Sequence, residues 1–465
     1  MMPFFYRLNL LSISSFFLYL FSLLIIGFSY QSFEPYIVIS TLSFIFISIT
    51  YLLCGRNNFD DFISTLLIFT VCLFWSSVSS IYLNVFNDSQ YFGADSGFFL
   101  ELSKGERFEN PILFGSNFYD GIGAVNFWKV FYDFFYSIGF GKYAYIGITI
   151  NTIFVSLTGL FSLKMVKLIY PSDNERYFRY LFLFSSCFLL LLFASLHLRD
   201  AFVLFFVTLQ CFGWIKFINQ KNLINFILLS LITLTSSYAL LYLRAEFTAL
   251  SLGFGIAFAA SFILTNSLSK INKYFLYLTF GSVVSIVVLF ISNNTSVFSD
   301  LINASELYSK APSESDSLGF DLIISQPIPI RLILGSILLF VMPIPFWSGI
   351  GADSIYFLFK SLNAVYFYFF LPLIFLSFLN FSVLRKTRTA TNYFLLFCIL
   401  GFTSVVVLTS SENRHIGSFL PIFFLFALIP NFYNKIEIKN YVTLFLLFLS
   451  FMLFVHSIWI LLRYL

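Results

Sequence analysis

Charge is what this chain of 465 residues has least of: 10% of its residues are Asp, Glu, Lys or Arg, against 59% hydrophobic and a mean hydropathy of +0.91. A soluble domain carries about 25% charged residues. So few cannot cover a water-facing surface, and a soluble globule is excluded. Cysteine is scarce as well. Cys54, Cys72, Cys187, Cys211 and Cys398 lie in or beside apolar runs with no paired spacing, which argues against a disulfide framework and a thiolate metal site. A net charge of +4 leaves no basic footprint for nucleic acid. There is no Gly-rich phosphate loop of the Walker type, no His-Glu-x-x-His and no Cys-x-x-Cys. No cofactor and no metal is expected.

What is present is a succession of apolar runs, each long enough to cross roughly 30 Å of hydrocarbon in about 20 residues. They start at Leu10, Pro35 and Ile63 and continue as Tyr143–Leu163, Tyr180–Leu196, Ala201–Ile218 and a pair meeting at Arg244-Ala245-Glu246. Tyr274–Ile291, Ile355–Leu384, Asn392–Thr409, Ile416–Phe432 and Tyr441–Leu462 follow. The fold class is therefore all-α, a polytopic transmembrane helical bundle of about 13 or 14 membrane segments. The N-terminus lacks a small-residue cleavage site after its first run, so it reads as a retained helix. The 69 Phe and 27 Tyr are packing and interface residues and are assigned no chemistry.

Cationic connections orient the chain. Lys164, Lys167, Arg176 and Arg179 form the strongest of them in the first half, and by the positive-inside rule it is cytoplasmic. Two sizeable loops then fall outside, residues 84–142 and 292–330, the first opening with Gly93-Ala94-Asp95-Ser96-Gly97. Residues 323–347, bracketed by Pro327, Pro329, Pro343 and Pro345, read as a re-entrant segment, because a full crossing would put Arg385-Lys386-Thr387-Arg388 on the wrong side.

With this topology Asp95, Arg199 with Asp200, Arg244 with Glu246, Arg331, and Arg414 with His415 all come to the outer boundary. Charges at span ends have a plain explanation, since arginines snorkel and acid–base pairs neutralise each other. The sign resists it. The positive-inside rule should deplete arginine from short outer turns, and three such turns carry one. Arginines gathered at one membrane face suit a phosphate or diphosphate, because a guanidinium holds two oxygens at once and stays charged. Arg199, Arg244, Arg331 and Arg414 are the candidate diphosphate contacts, and Asp95, Asp200 and His415 the candidate proton-transfer groups. His197 and His456 read as packing or interfacial residues. A transporter would place its charges near the midplane, whereas here nearly all stand at span ends.

The early Gly93-Ala94-Asp95-Ser96-Gly97-Phe98-Phe99, the Leu198-Arg199-Asp200 turn, Pro343-Ile344-Pro345-Phe346-Trp347 and the late Glu412-Asn413-Arg414-His415 before Pro421 give a layout. It resembles that of Wzy-type O-antigen or capsule polymerases and, more distantly, the GT-C type polyprenyl-dependent glycosyltransferases. The resemblance implies a multi-pass protein of the bacterial inner membrane. It would polymerise undecaprenyl-diphosphate-linked oligosaccharide units into surface polysaccharide at the periplasmic face. It also implies membrane lipids and a chain-length regulator as partners, with the outer arginines on the diphosphate and, in the GT-C reading, Asp95 as base. GT-C enzymes commonly show an acidic pair near the end of the first span, whereas Asp95 stands alone after a third, which favours the polymerase. A lipid-linked-oligosaccharide flippase and a non-catalytic membrane scaffold are the other classes such a chain could belong to.

Overall fold

The computed structural model describes residues 4–55, 58–85, 96–105, 122–265, 326–350, 354–409 and 413–464. The described residues are helical, with no strand among them. Among the described residues, ten helices are long and apolar enough to cross a membrane, or eleven if one bent pair counts as a single span. By length and composition the chain is a multi-pass membrane protein.

The chain divides into two compact units. The first comprises Met1–Phe212, Thr235–Thr248 and Asp353–Tyr356; the second comprises Gly213–Leu234, Ala249–Ala352 and Phe357–Leu465. The first contains α1 (Phe4–Tyr30), α2 (Glu34–Cys54), α3 (Phe59–Val85), α4 (Ser96–Lys104), α5 (Ile122–Ser137), α6 (Ala144–Ile169), α7 (Asn174–Ser185) and α8 (Phe188–Ser195). Both units share α9 (Asp200–Asn219) and α10 (Leu223–Leu243).

The core of the first unit is α6, which packs against α2, α3, α5, α7 and α8. Of its spanning window 83% is buried, against 28% for α1. Such burial on all sides needs neighbours that come close, and α6 supplies small residues at Gly147, Thr152, Ser156, Gly159 and Ser162. Ser76 of α3 lies 3.1 Å from Thr152, and both hydroxyls donate to the Ala194 carbonyl of α8, at 3.1 and 3.2 Å. One carbonyl thus ties three helices.

The second unit contains α11 (Leu250–Leu264), α12 (Ile328–Val341), α13 (Ile355–Val383, whose first two residues belong to the first unit), α14 (Ala390–Thr409), α15 (Asn413–Gly417), α16 (Leu420–Phe426) and α17 (Lys435–Tyr464). Here α14 is central, packing on α11, α12, α15 and α16. Phe254, Phe402 and Phe419 interlock around it, with ring centroids 5.0 and 4.6 Å apart. His456 of α17 accepts from the Phe346 backbone N–H and lies against the Tyr368 hydroxyl, both at 3.4 Å, so the proline-rich stretch is pinned to the last helix.

Several expected elements take a different form. The polar stretch 84–142 carries two helices, α4 and α5, rather than a plain loop. The cationic connection after the fourth run is short, because α6 continues to Ile169 and Asp173 starts α7 at once by accepting from the Arg176 backbone N–H at 3.1 Å. Lys167 sits on the last turn of α6, 2.5 Å from Asp60 and 2.8 Å from Asp61. Expected as one span, Tyr180–Leu196 belongs to a pair of helices bent by 54°. The break falls after Ser185-Ser186, where the Ser186 hydroxyl donates to the Phe182 carbonyl. Ile416–Phe432 is two short helices, because Gly417 and Ser418 end the first and Pro421 suits only the first turn of the next. In residues 323–347 the helix α12 has 14 residues, about 21 Å of rise. The expected run Tyr274–Ile291 lies outside the described residues.

The closeness of α6 to its neighbours is testable. A Cβ added at Gly147 would lie 2.2 Å from Nε2 of His197, whereas one added at Gly401 of α14 meets nothing within 4 Å. Gly147→Ala is expected to destabilise the protein by about 1–3 kcal/mol. Gly401→Ala should be neutral or up to about 1 kcal/mol stabilising. Thermal unfolding in detergent checks both.

Candidate functional site

Where α8 stops at Ser195 and α9 begins at Asp200, the four residues 196–199 lie outside both helices. Such a break orphans backbone carbonyls, which cost about 1–3 kcal/mol each if buried unpaired. Asn151, fully buried on α6, donates through its Nδ2 to the Leu196 carbonyl at 2.8 Å, which also accepts from the Leu198 N–H, and to the Leu198 carbonyl at 3.0 Å. Its Oδ1 accepts from the Trp128 indole of α5 at 3.0 Å. The His197 backbone N–H donates to the Ser96 hydroxyl at the start of α4, at 3.0 Å. Elements α4, α5 and α6 thereby hold one turn, and that turn presents Arg199 and Asp200.

Asp200 opens α9 and is 1% exposed; Arg244 directly follows the last residue of α10 and is 3% exposed. Their side chains lie 3.4 Å apart. A carboxylate at a helix N-terminus and a guanidinium at a helix C-terminus each face the favourable end of a helix dipole. Arg199 is half-buried, donates to the Leu243 carbonyl at 3.3 Å, and lies 5.6 Å from the ring centroid of Phe99. Arg244 lies 5.2 Å from that of Phe247. Two arginines 45 positions apart in sequence are thus drawn to adjoining helix ends, with one carboxylate facing the more buried of them.

His197 is fully buried, its ring centroid 3.9 Å from that of Trp128, and neither ring nitrogen has a hydrogen-bond partner among the described residues. Burial lowers its pKa from 6.5 to about 3, and the Lys104 ammonium pushes the same way. The imidazole is neutral at physiological pH.

The remaining candidates are in the second unit or outside the described residues. Arg331 of α12 donates to the Val407 carbonyl of α14 at 3.0 Å, and α15, which carries the buried Arg414 and His415, packs on both α12 and α14. These three residues are in the second unit. Asp95 directly precedes Ser96 in the chain and lies outside the described residues, as does residue 412; nothing is assigned to the side chain of Glu246.

No known protein family, curated protein or solved structure matches this chain. The site therefore rests on its own geometry. Sequence reasoning passed over Asn151 and Trp128, because one amide and one indole in apolar runs look like any others until the break they serve is seen.

Asp200→Asn should destabilise the fold by on the order of 3 kcal/mol, since it removes the carboxylate facing a buried guanidinium. In a double-mutant cycle with Arg244→Met the two effects should fall short of additivity by about 1–3 kcal/mol. Additive losses in thermal unfolding would show the pair to be uncoupled.

His197 makes a pH prediction of defined sign. The unfolded chain takes up a proton near 6.5 and the folded one only near 3, so acid favours unfolding. The stabilisation is complete above pH 6.5 and is lost as the pH falls toward 3, by at most about 1.4 kcal/mol per pH unit. His197→Phe keeps a stacked ring and removes this component. Melting curves from pH 7.5 to 5 should therefore fall less steeply for the variant than for the unaltered protein.

Proposed function

We propose that this chain polymerises polyprenyl-diphosphate-linked oligosaccharide units into a surface polysaccharide at the periplasmic face of a bacterial inner membrane, as a glycosyltransferase that needs no cofactor. The observation that carries this reading is the meeting of Arg199 and Arg244 at adjoining helix ends, with Asp200 facing Arg244. An acceptor hydroxyl attacks the anomeric carbon of the donor glycan, and the bond from that carbon to the diphosphate oxygen breaks. The lipid diphosphate departs with the bonding pair, and the hydroxyl proton passes to Asp95 or Asp200. Negative charge grows on the leaving oxygens, and preorganised cations in a partly dehydrated site stabilise it. A chain-length regulator is proposed as a protein partner.

The half-buried Arg199 is the residue best placed to meet such a ligand, while the Asp200 carboxylate holds Arg244 in place. Lysine would keep the charge and lose the two-pronged geometry. In a strain lacking the chain, Arg199→Lys and Arg244→Lys are expected to lower the rate by about 10²-fold or more. The readout is a shortened or absent ladder of glycan lengths at normal protein abundance. A full ladder with both variants would overturn the assignment, because an arginine that only anchors the interface tolerates lysine.

A further inference from the structure

We propose that α5 is an interfacial helix with three faces, one against the protein, one toward water and one resting on the acyl chains of the lipid bilayer. It has 16 residues, about 24 Å of rise, and carries Lys129 and Asp133 in its middle, so it does not cross. At 3.6 residues per turn its side chains sort into three sectors around the helix. Ala124, Val125, Trp128, Tyr132 and Phe135 form one, and all five are buried. Asn126, Lys129, Asp133 and Ser137 form the second, and all four are exposed. Phe127, Val130 and Phe134 form the third, apolar yet 39%, 66% and 54% exposed. An amphipathic helix at a purely aqueous surface needs only the first two.

The position of α5 says what meets the third face. The turn Ile138–Tyr143 folds α5 back along α6, so that Tyr132 accepts from the Gly147 N–H at 3.3 Å and Trp128 reaches Asn151. Further back, Phe127 packs edge-on against Phe154, with centroids 5.6 Å apart. Residues 147–154 belong to a span that starts at Ala144, so α5 runs beside roughly the first 15 Å of a membrane-crossing helix. Its N-terminal half lies beside the deeper part. At its other end the Lys142 ammonium bonds Asp133 at 2.6 Å and sits 5.3 Å from the Tyr136 ring centroid, a charged and aromatic pairing suited to the headgroup level.

The test is collision of spin labels with oxygen, which concentrates in acyl chains, and with a nickel chelate, which stays in water. The protein is reconstituted into vesicles of phosphatidylethanolamine and phosphatidylglycerol. The native cysteines are all buried and can stay. Labels at Val130→Cys and Phe134→Cys should favour oxygen severalfold, more strongly at 130, and labels at Asn126→Cys and Lys129→Cys should favour nickel. Nickel access at 130 and 134 would overturn the proposal. So would shielding from both reagents, which would mean that protein, for example a second copy of the chain, covers this face. As a label-free check, Phe134→Trp fluorescence should be quenched by lipids brominated on their acyl chains and not by aqueous iodide; the reverse would also overturn it.

Discussion

Within a membrane protein no water stands ready to satisfy a backbone group that leaves its helix, so each break must be repaired by the protein itself. At the break between α8 and α9 the side chains of Asn151 and Ser96 take up backbone groups of the turn, and much of the first unit follows from Asn151. Because its amide reaches two carbonyls of the turn, α6 must lie alongside the break. Its carbonyl oxygen takes the Trp128 indole, and α5 is thereby bound to the same helix. Gly147, one turn earlier, leaves the room that the His197 ring occupies. Replacing any one of these residues disturbs the others.

Helix ends then decide where charge is tolerated. Asp200 and Arg244 are both almost wholly buried, an arrangement that isolated charges in a low-dielectric setting do not sustain. Each is supported twice, by its opposite and by the dipole of the helix it starts or follows. Arg199 differs from them in being only half-buried, with its guanidinium spread over Phe99 and bonded to a backbone carbonyl. Arg244 is thus the more deeply buried of the two arginines and Arg199 the more exposed. The second unit repeats the device on a smaller scale, where Arg331 bonds a carbonyl close to the end of α14.

Aromatic residues fill what small residues leave. In the first unit Gly147 and Gly159 let rings and branched chains approach α6, and in the second Gly253 and Gly335 do the same for Phe402 and Val407. Phenylalanine serves this purpose well in an apolar setting, since it has volume without a polar group to satisfy. On the outward side of α5 Phe134 is still 54% exposed, and its surroundings must supply further apolar contact.

By itself the sequence determined the class, the helical content and the approximate place of most spans, because hydrocarbon thickness and composition act locally on about 20 residues at a time. It also marked Arg199, Asp200 and Arg244 as unusual, since charge in so apolar a chain is conspicuous. Which of them meet was decided only by tertiary structure: α10 had to return its end to the start of α9 before Arg244 could face Asp200. The same holds for Asn151, whose amide acquires a role only beside a broken helix. It holds for α5 as well, which was hidden in a polar stretch because its three-faced pattern shows neither a long apolar run nor a plain two-sided alternation. Ser185-Ser186 and Gly417-Ser418 broke runs that looked continuous, because average hydropathy registers apolar content and is blind to the hydroxyls and glycines that bend or end a helix.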